Sequence, residues 1–238
     1  MNRIICLLSF GVIGLTGTAS YGNSTRTYLS ERYVMEVQDT IDKQILYNGR
    51  IWRNNYLNIG GTQFLFSNEF LPGSVTIDDK VFNGKNLGLK FNIFDDELLT
   101  VTGTGTVLQL NKEMVENFTL DFEGKTYSFR NLPVDSLNSL SGFVQVLYDG
   151  ATPLYVRYKK EIRLRSSVEE SDLFLQSYRV FVMKDGILHK VNNKKSLTRV
   201  LADRKDEVKN YIRSNHVRIS KNLPESFAPV LKFYDSLR

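Results

Sequence analysis

Cysteine is nearly absent from this sequence, whose 238 residues hold only Cys6. A single cysteine closes no internal disulfide and builds no multi-thiolate metal site. Histidine is almost as scarce, with only His189 and His216. They stand apart, without His-x-His or His-Glu-x-x-His spacing, so no metal site is expected. His189 reads as a strand residue, and His216 falls just past a helix end, where a cation suits the dipole. Neither Ser139 nor Ser141 lies in a Gly-x-Ser-x-Gly elbow, which argues against a Ser-His-Asp hydrolase. After the first fifteen residues, no apolar run approaches the roughly twenty needed for a membrane helix. An outer-membrane barrel would want a closing amphipathic strand, whereas the last forty or so residues are helical in pattern. The chain is therefore expected to be soluble or peripherally attached.

What is present begins with an address. Met1, Asn2 and Arg3 form a short positive start, residues 4–15 are apolar apart from Ser9, Gly11 and Gly14, and small residues occupy 16–20. This order is that of a cleavable secretory signal, with cleavage expected after Ala19. Cys6 lies inside the apolar run, so no cysteine remains to carry a lipid anchor, and the mature chain must be stabilised by an ordinary core. Residues 1–19 are thus assigned to the signal peptide and 20–44 to a flexible leader.

From 45 to 191 the chain reads as short strands between turn signals, at about the ten-residue spacing of an antiparallel meander. Expected strands include 64–66, 75–77, 87–93, 98–102, 107–110, 118–122, 143–148 and 154–164. Glu123-Gly124 suits a tight hairpin, and Asp185-Gly186, between 178–183 and 187–191, suits a type I′ turn. From Ser196 the apolar period becomes 3.6, with Leu197, Val200, Leu201, Val208, Tyr211 and Ile212 on one face. Asp203 is expected to cap a restart of this helix and Asn215 to stop it. A last helix starts near Pro224 or Ser226, with Pro229 in its first turn. The expected fold is β-rich α+β: an antiparallel β meander, curved sheet or sandwich, followed by two C-terminal α-helices over 192–238.

Several segments together resemble a known group. These are Leu46-Tyr47-Asn48-Gly49-Arg50, the stretch 89–99 ending in Asp95-Asp96-Glu97-Leu98-Leu99, the motif 115–122, and Leu201-Ala202-Asp203-Arg204-Lys205. In spacing and hydrophobic pattern the chain resembles exported β-rich envelope proteins of Bacteroidetes. The resemblance implies a bacterial cell envelope, a β-rich body and a short helical C-terminus, and it carries over no functional residue.

Charge is unevenly spread. Residues 23–150 hold eleven Lys or Arg against sixteen Asp or Glu, about −5, whereas residues 151–238 hold nineteen against ten, about +9. Asp78-Asp79 and Asp95-Asp96-Glu97 are the densest carboxylates, but both fall at expected turns, where adjacent acids are solvated. Gly103-Thr104-Gly105 lacks the further glycine, lysine and helix start of a phosphate loop. Trp52, among Tyr47, Arg50, Arg53 and Tyr56, is a candidate aromatic contact, although a half-buried first-strand residue is the favoured account of it. Lys205, Lys209 and Arg213 form an i, i+4 ladder of like charge, with Arg199, Arg204, Arg218 and Lys221 in the same neighbourhood; a solvated helix face is the simpler account, and contact with an anionic partner is the functional one. Asp203, Asp206 and Glu207 are expected to dilute its field.

These features favour a non-enzymatic exported envelope protein acting by binding or assembly in the periplasm or on the outer-membrane surface, without cofactor or metal. The expected partner is an envelope protein or an anionic membrane surface, with self-association through the opposite charge halves as a variant. Export argues against nucleic acid. The alternatives are a half-barrel carrier of an apolar ligand and a hydrolase using two carboxylates.

Overall fold

Three two-residue turns set the register of the sheet, each with both residues at positive φ: Asp78-Asp79 (53° and 61°), Glu123-Gly124 (50° and 73°) and Asp185-Gly186 (52° and 78°). They close the pairs Ile77↔Lys80, Phe122↔Lys125 and Lys184↔Ile187. This is type I′ geometry, whose twist matches the strands it joins. The computed structural model describes residues 44–135, 140–164 and 172–238. The expected signal peptide and nearly all of the expected leader lie outside them, as do Ser139 and the residues beyond Leu164 up to Ser171.

The strands are β1 (Arg50–Ile51), β2 (Leu71–Ile77), β3 (Lys80–Asn92), β4 (Glu97–Val101), β5 (Val107–Gln109), β6 (Val115–Phe122), β7 (Lys125–Leu132), β8 (Gly142–Tyr148), β9 (Leu154–Arg163), β10 (Leu173–Lys184) and β11 (Ile187–Val191). They pair antiparallel in one open ladder, β1-β5-β4-β3-β2-β6-β7-β8-β9-β10-β11. This is the expected meander, with two departures: β1 pairs with β5 instead of β2, and β6 returns to pair with β2 instead of β5. Only residues 110–114 join β5 to β6, four steps apart in the ladder, roughly 19 Å if the sheet were flat. Because these residues also turn, with Met114 N–H donating to Asn111 O, the sheet has to roll to bring β5 and β6 together.

Rolling gives the sheet a concave apolar face. Phe118 and Phe129, paired across β6 and β7, stack at 4.6 Å; Phe91 from β3 meets both edge-on at 5.3 and 5.4 Å, and Phe143 from β8 meets Phe118 edge-on at 5.1 Å. Phe91 also touches Phe143 at 5.6 Å, although their strands lie four steps apart. Full burial of each ring contributes roughly 1.5–3 kcal/mol. Residues 64–66, expected as a strand, form none. Phe64 makes a single bridge to Asn92 and Gly60 another to Leu173, so this segment links β3 to β10 across the roll. From β9, Lys160 donates to the carbonyls of Thr62 and Phe64, the latter at 2.6 Å.

Over β9 to β11 the same sheet is covered by helices. Leu154, Val156, Val180, Val182 and Val191 pack against Leu197, Leu201, Val208, Ile212, Val230 and Leu231 in a second core cluster. Helix α1 (Lys194–Val200) opens with a capping box in which Asn193 accepts from Ser196 N–H and Ser196 Oγ accepts from Asn193 N–H. A 3-10 turn (Ala202–Arg204) follows, then α2 (Lys205–Ser214). Asp203 is not the cap of α2: Arg204 holds that position, without a side-chain bond, and Asp203 faces other partners. The left-handed stop falls one residue later than expected, at His216 (φ 50°), while Asn215 has φ −97°. A 3-10 turn (Pro224–Phe227) leads into α3 (Ala228–Asp235), with Pro229 in its first turn. No helix among the described residues is long and apolar enough to cross a membrane.

Candidate functional site

The acidic candidates are structural. Asp78 and Asp79 occupy the β2–β3 turn in solvent, and Glu116 accepts from Asp79 N–H at 2.7 Å. Asp95, Asp96 and Glu97 border an open cleft of about 510 Å³ between the β3–β4 turn and residues 109–113. Each already has partners. Asp95 accepts from Asn92 Nδ2 at 2.8 Å and from the Tyr56 hydroxyl at 3.3 Å. Asp96, with its side chain 14% exposed, holds Lys112 on one oxygen and Arg157 on the other, the latter at 2.8 Å. Arg157 belongs to β9, so this carboxylate rivets the β3–β4 turn to the far half of the roll. Desolvation, reinforced by the charge of Asp95, raises the Glu97 carboxyl above its ordinary value, while Arg50 and donors on Asn92 and Trp52 pull against it.

Trp52 sits half-buried beyond β1, with its ring 5.9 Å from Phe64 and its N–H on Val107 O. Arg50 and Arg53 beside it are exposed. Gly103-Thr104-Gly105 is the β4–β5 connection, laced by the Thr102 and Thr104 hydroxyls. His189 lies on β11 and His216 ends α2. Among the described residues no three His, Cys, Asp or Glu side chains are grouped to hold a metal ion.

The basic candidates behave differently. Lys205 and Lys209, one turn apart on α2, line a concavity of about 600 Å³ at the elbow between α1 and α2. Facing them across it are Lys194, Lys195 and Arg199 of α1, with buried Thr198 and small Ala202 between. The Thr198 hydroxyl is spent on Lys194 O at 2.7 Å, and the wall of this open concavity is mostly apolar although five of its residues are basic. Arg213, the third member of the sequence ladder, is exposed but lies outside it.

No carboxylate among the described residues pairs with any of these five cations, and the expected dilution fails for a long-range reason. Asp203 turns toward the sheet, holding Lys184 of β10 on one oxygen and the Tyr234 hydroxyl on the other at 2.7 Å. Desolvation works against its ionisation, but these two donors outweigh it and bring the Asp203 carboxyl down to about 2. Glu207 is taken by Arg204. Only Asp206 is left to offset the field of the elbow.

The elbow is also set against helix electrostatics. Lys194 and Lys195 stand in the first turn of α1, which has no acidic residue there. Cations near the positive end of a helix destabilise it by a few tenths of a kcal/mol to about 1 kcal/mol. Lys205 and Lys209 repel one another by about 0.2–0.5 kcal/mol as a like-charged i, i+4 pair.

The two lysines of α1 are absent from the sequence reading because it begins the helix at Ser196. The signal that would have found them is Asn193 three residues before Ser196, a capping pair that puts both lysines in the first turn. No protein-family model, curated protein or solved structure matches this chain.

Proposed function

We propose that the protein is a non-enzymatic component of a bacterial cell envelope, exported by the signal at residues 1–19, which acts by binding an anionic partner at the α1–α2 elbow. The observation that carries this reading is the set of five basic residues that line one concavity, none of them paired with a carboxylate among the described residues. Such a cluster is kept against its own repulsion, and an anionic surface would relieve it. Each Lys or Arg near an anionic membrane surface contributes about 1 kcal/mol of attraction. The excess of nineteen basic over ten acidic residues across 151–238 adds a long-range field of the same sign.

The alternatives have less support. A carrier of the half-barrel kind would hold its apolar ligand in the concave face, where Phe91, Phe118, Phe129 and Phe143 are already in ring contact. A carboxylate hydrolase would need two acids free to act on substrate, and Asp95 and Asp96 are bound by Tyr56, Asn92, Lys112 and Arg157.

The test is co-sedimentation with vesicles rich in anionic lipid. Reversing Lys205 and Lys209 together to Glu is expected to weaken association about a hundredfold or more, at about 1 kcal/mol per charge. Arg213→Glu, outside the concavity, is expected to weaken it clearly less than the double reversal, with about thirtyfold, two charge units on the same scale, as its upper bound. Both variants should melt with the wild type, since neither lysine has an ionic partner to lose. Equal effects at the two places, or none at either, would overturn the reading.

A further inference from the structure

We infer that Asn83 is a self-modifying site, where the backbone amide of Gly84 displaces ammonia from the Asn83 side chain and leaves an aspartate or isoaspartate in its place. The sequence contains two Asn-Gly steps, Asn48-Gly49 and Asn83-Gly84. Glycine is the residue after asparagine that lets this reaction run, because without a Cβ its amide nitrogen can swing close to the side-chain carbonyl carbon. Their sequence neighbours are alike, Tyr47 and Arg50 around the first and Phe82 and Lys85 around the second. Local chemistry therefore treats the two steps equally, and the fold sets them apart.

Asn83-Gly84 lies in β3 where the ladder is interrupted. Asn83 pairs with Ser74, the next pair on β2 is Pro72 with Gly88 beyond a register shift, and pairing with β4 begins only at Leu89. Gly84 thus has no register partner on either neighbour, and both residues of the step are exposed. Its φ is 132°, and no heavy atom lies within 4 Å of where a Cβ would stand. At such a bulge the backbone has room to bring the Gly84 nitrogen onto the Asn83 side chain. Asn48-Gly49 is pinned instead. A Cβ on Gly49 would stand 2.2 Å from Gln109 O, so this step packs directly on β5, and Asn48 N–H donates to Ile45 O at 3.3 Å. Arg50, the next residue, pairs with Gln109.

The chemistry balances with water as the sole co-reactant. The Gly84 nitrogen bonds to Asn83 Cγ, the Cγ–Nδ2 bond breaks, and the proton of the Gly84 amide leaves with Nδ2 as ammonia. A water then opens the resulting succinimide at either carbonyl, giving aspartate or, with the backbone rerouted through Cβ, isoaspartate. Either product places a new negative charge on the hairpin that carries Asp78-Asp79.

The experiment incubates the folded full chain at mildly alkaline pH and follows both asparagines by peptide mapping with mass spectrometry, beside a sample held unfolded in urea. In the folded chain Asn83 is expected to lose ammonia at least tenfold faster than Asn48, and its product to contain both aspartate and isoaspartate. In urea the two rates should converge to within about threefold, because only the fold separates the steps. Asn83→Gln, whose longer side chain has to close a larger ring, should abolish the change at that position and leave Asn48 as it was. Equal rates at the two steps in the folded chain, faster loss at Asn48, or retention of both amides would overturn the inference. A tenfold difference that persists in urea would take the fold out of it, and a product that is aspartate alone would mark direct hydrolysis without attack by Gly84; either result would overturn it as well.

Discussion

Gly186 shows what one residue contributes to this fold. It sits at φ 78° with no heavy atom within 4 Å of where a Cβ would stand, so a side chain there meets backbone strain and nothing else. Gly186→Val should therefore cost on the order of 1–2 kcal/mol and lower the melting temperature, with Gly186→Asn milder because Asn tolerates positive φ. An unchanged melting temperature for the Val variant would refute the strain. Asp96 acts at longer range. Asp96→Asn, which keeps a residue tolerant of the φ of 60° there, strands Arg157, whose side chain is only 22% exposed, and should cost roughly 2–4 kcal/mol in urea denaturation, against near zero for exposed Asp78→Asn.

Lys160 gives the fold a pH signature. It is 6% exposed, bound only to carbonyls, and desolvation lowers its ammonium to about 8 from an ordinary value of 10.5. Between those two values the unfolded chain holds the proton that the folded chain has released, so stability should rise as pH goes from about 8 toward 10.5. Tyr158 works in the opposite direction at higher pH. Burial pushes its hydroxyl up to about 12, so its contribution is complete below 10 and is lost as pH climbs past it. Urea titrations of wild type and Lys160→Met from pH 7 to pH 10 should differ by a rise present only in the wild type; parallel curves would mean that the ammonium is not desolvated.

At the scale of elements, local chemistry was legible and partnership across the roll was not. Asp185-Gly186 and Glu123-Gly124 declare their turns because glycine marks positive φ, and β11 matches its apolar run. The first half of β3 is hidden, since Asn83, Gly84 and Asn86 have low strand propensity and of the three only Asn83 has a register partner on β2, the ladder resuming at Gly88 after a bulge. Phe64-Leu65-Phe66 misleads in the other direction. Three consecutive apolar residues suggest a strand, yet they are used to plug the roll, with Leu65 N–H on Phe91 O and Gln63 O accepting from Ile93. Asp203 misleads most. Its position before α2 suggests a cap, and no local pattern reveals Lys184 and Tyr234, which lie 19 and 31 residues away in sequence. Three of the five basic residues of the candidate site were legible, Lys205 and Lys209 because they share one helix and Arg199 because it belongs to the same basic tail, whereas Lys194 and Lys195 join them only through the elbow.

For the molecule as a whole, the roll and the helical cover divide the work. The phenylalanine cluster and the Asp96 rivet hold the sheet in its curve, and β9 to β11 form the floor on which α1, α2 and α3 rest. That support turns two short helices into a fixed elbow and presents its cations as one set. The account therefore predicts binding that is electrostatic in origin and local in place. The most direct test is the affinity of the mature chain for anionic vesicles measured across ionic strength, where the screening length falls from about 30 Å at 0.01 M to about 8 Å at 0.15 M. The account predicts at least a tenfold loss of affinity over that range for the wild type and little further salt dependence once Lys205 and Lys209 are reversed. Affinity that stays flat with salt in the wild type would contradict it.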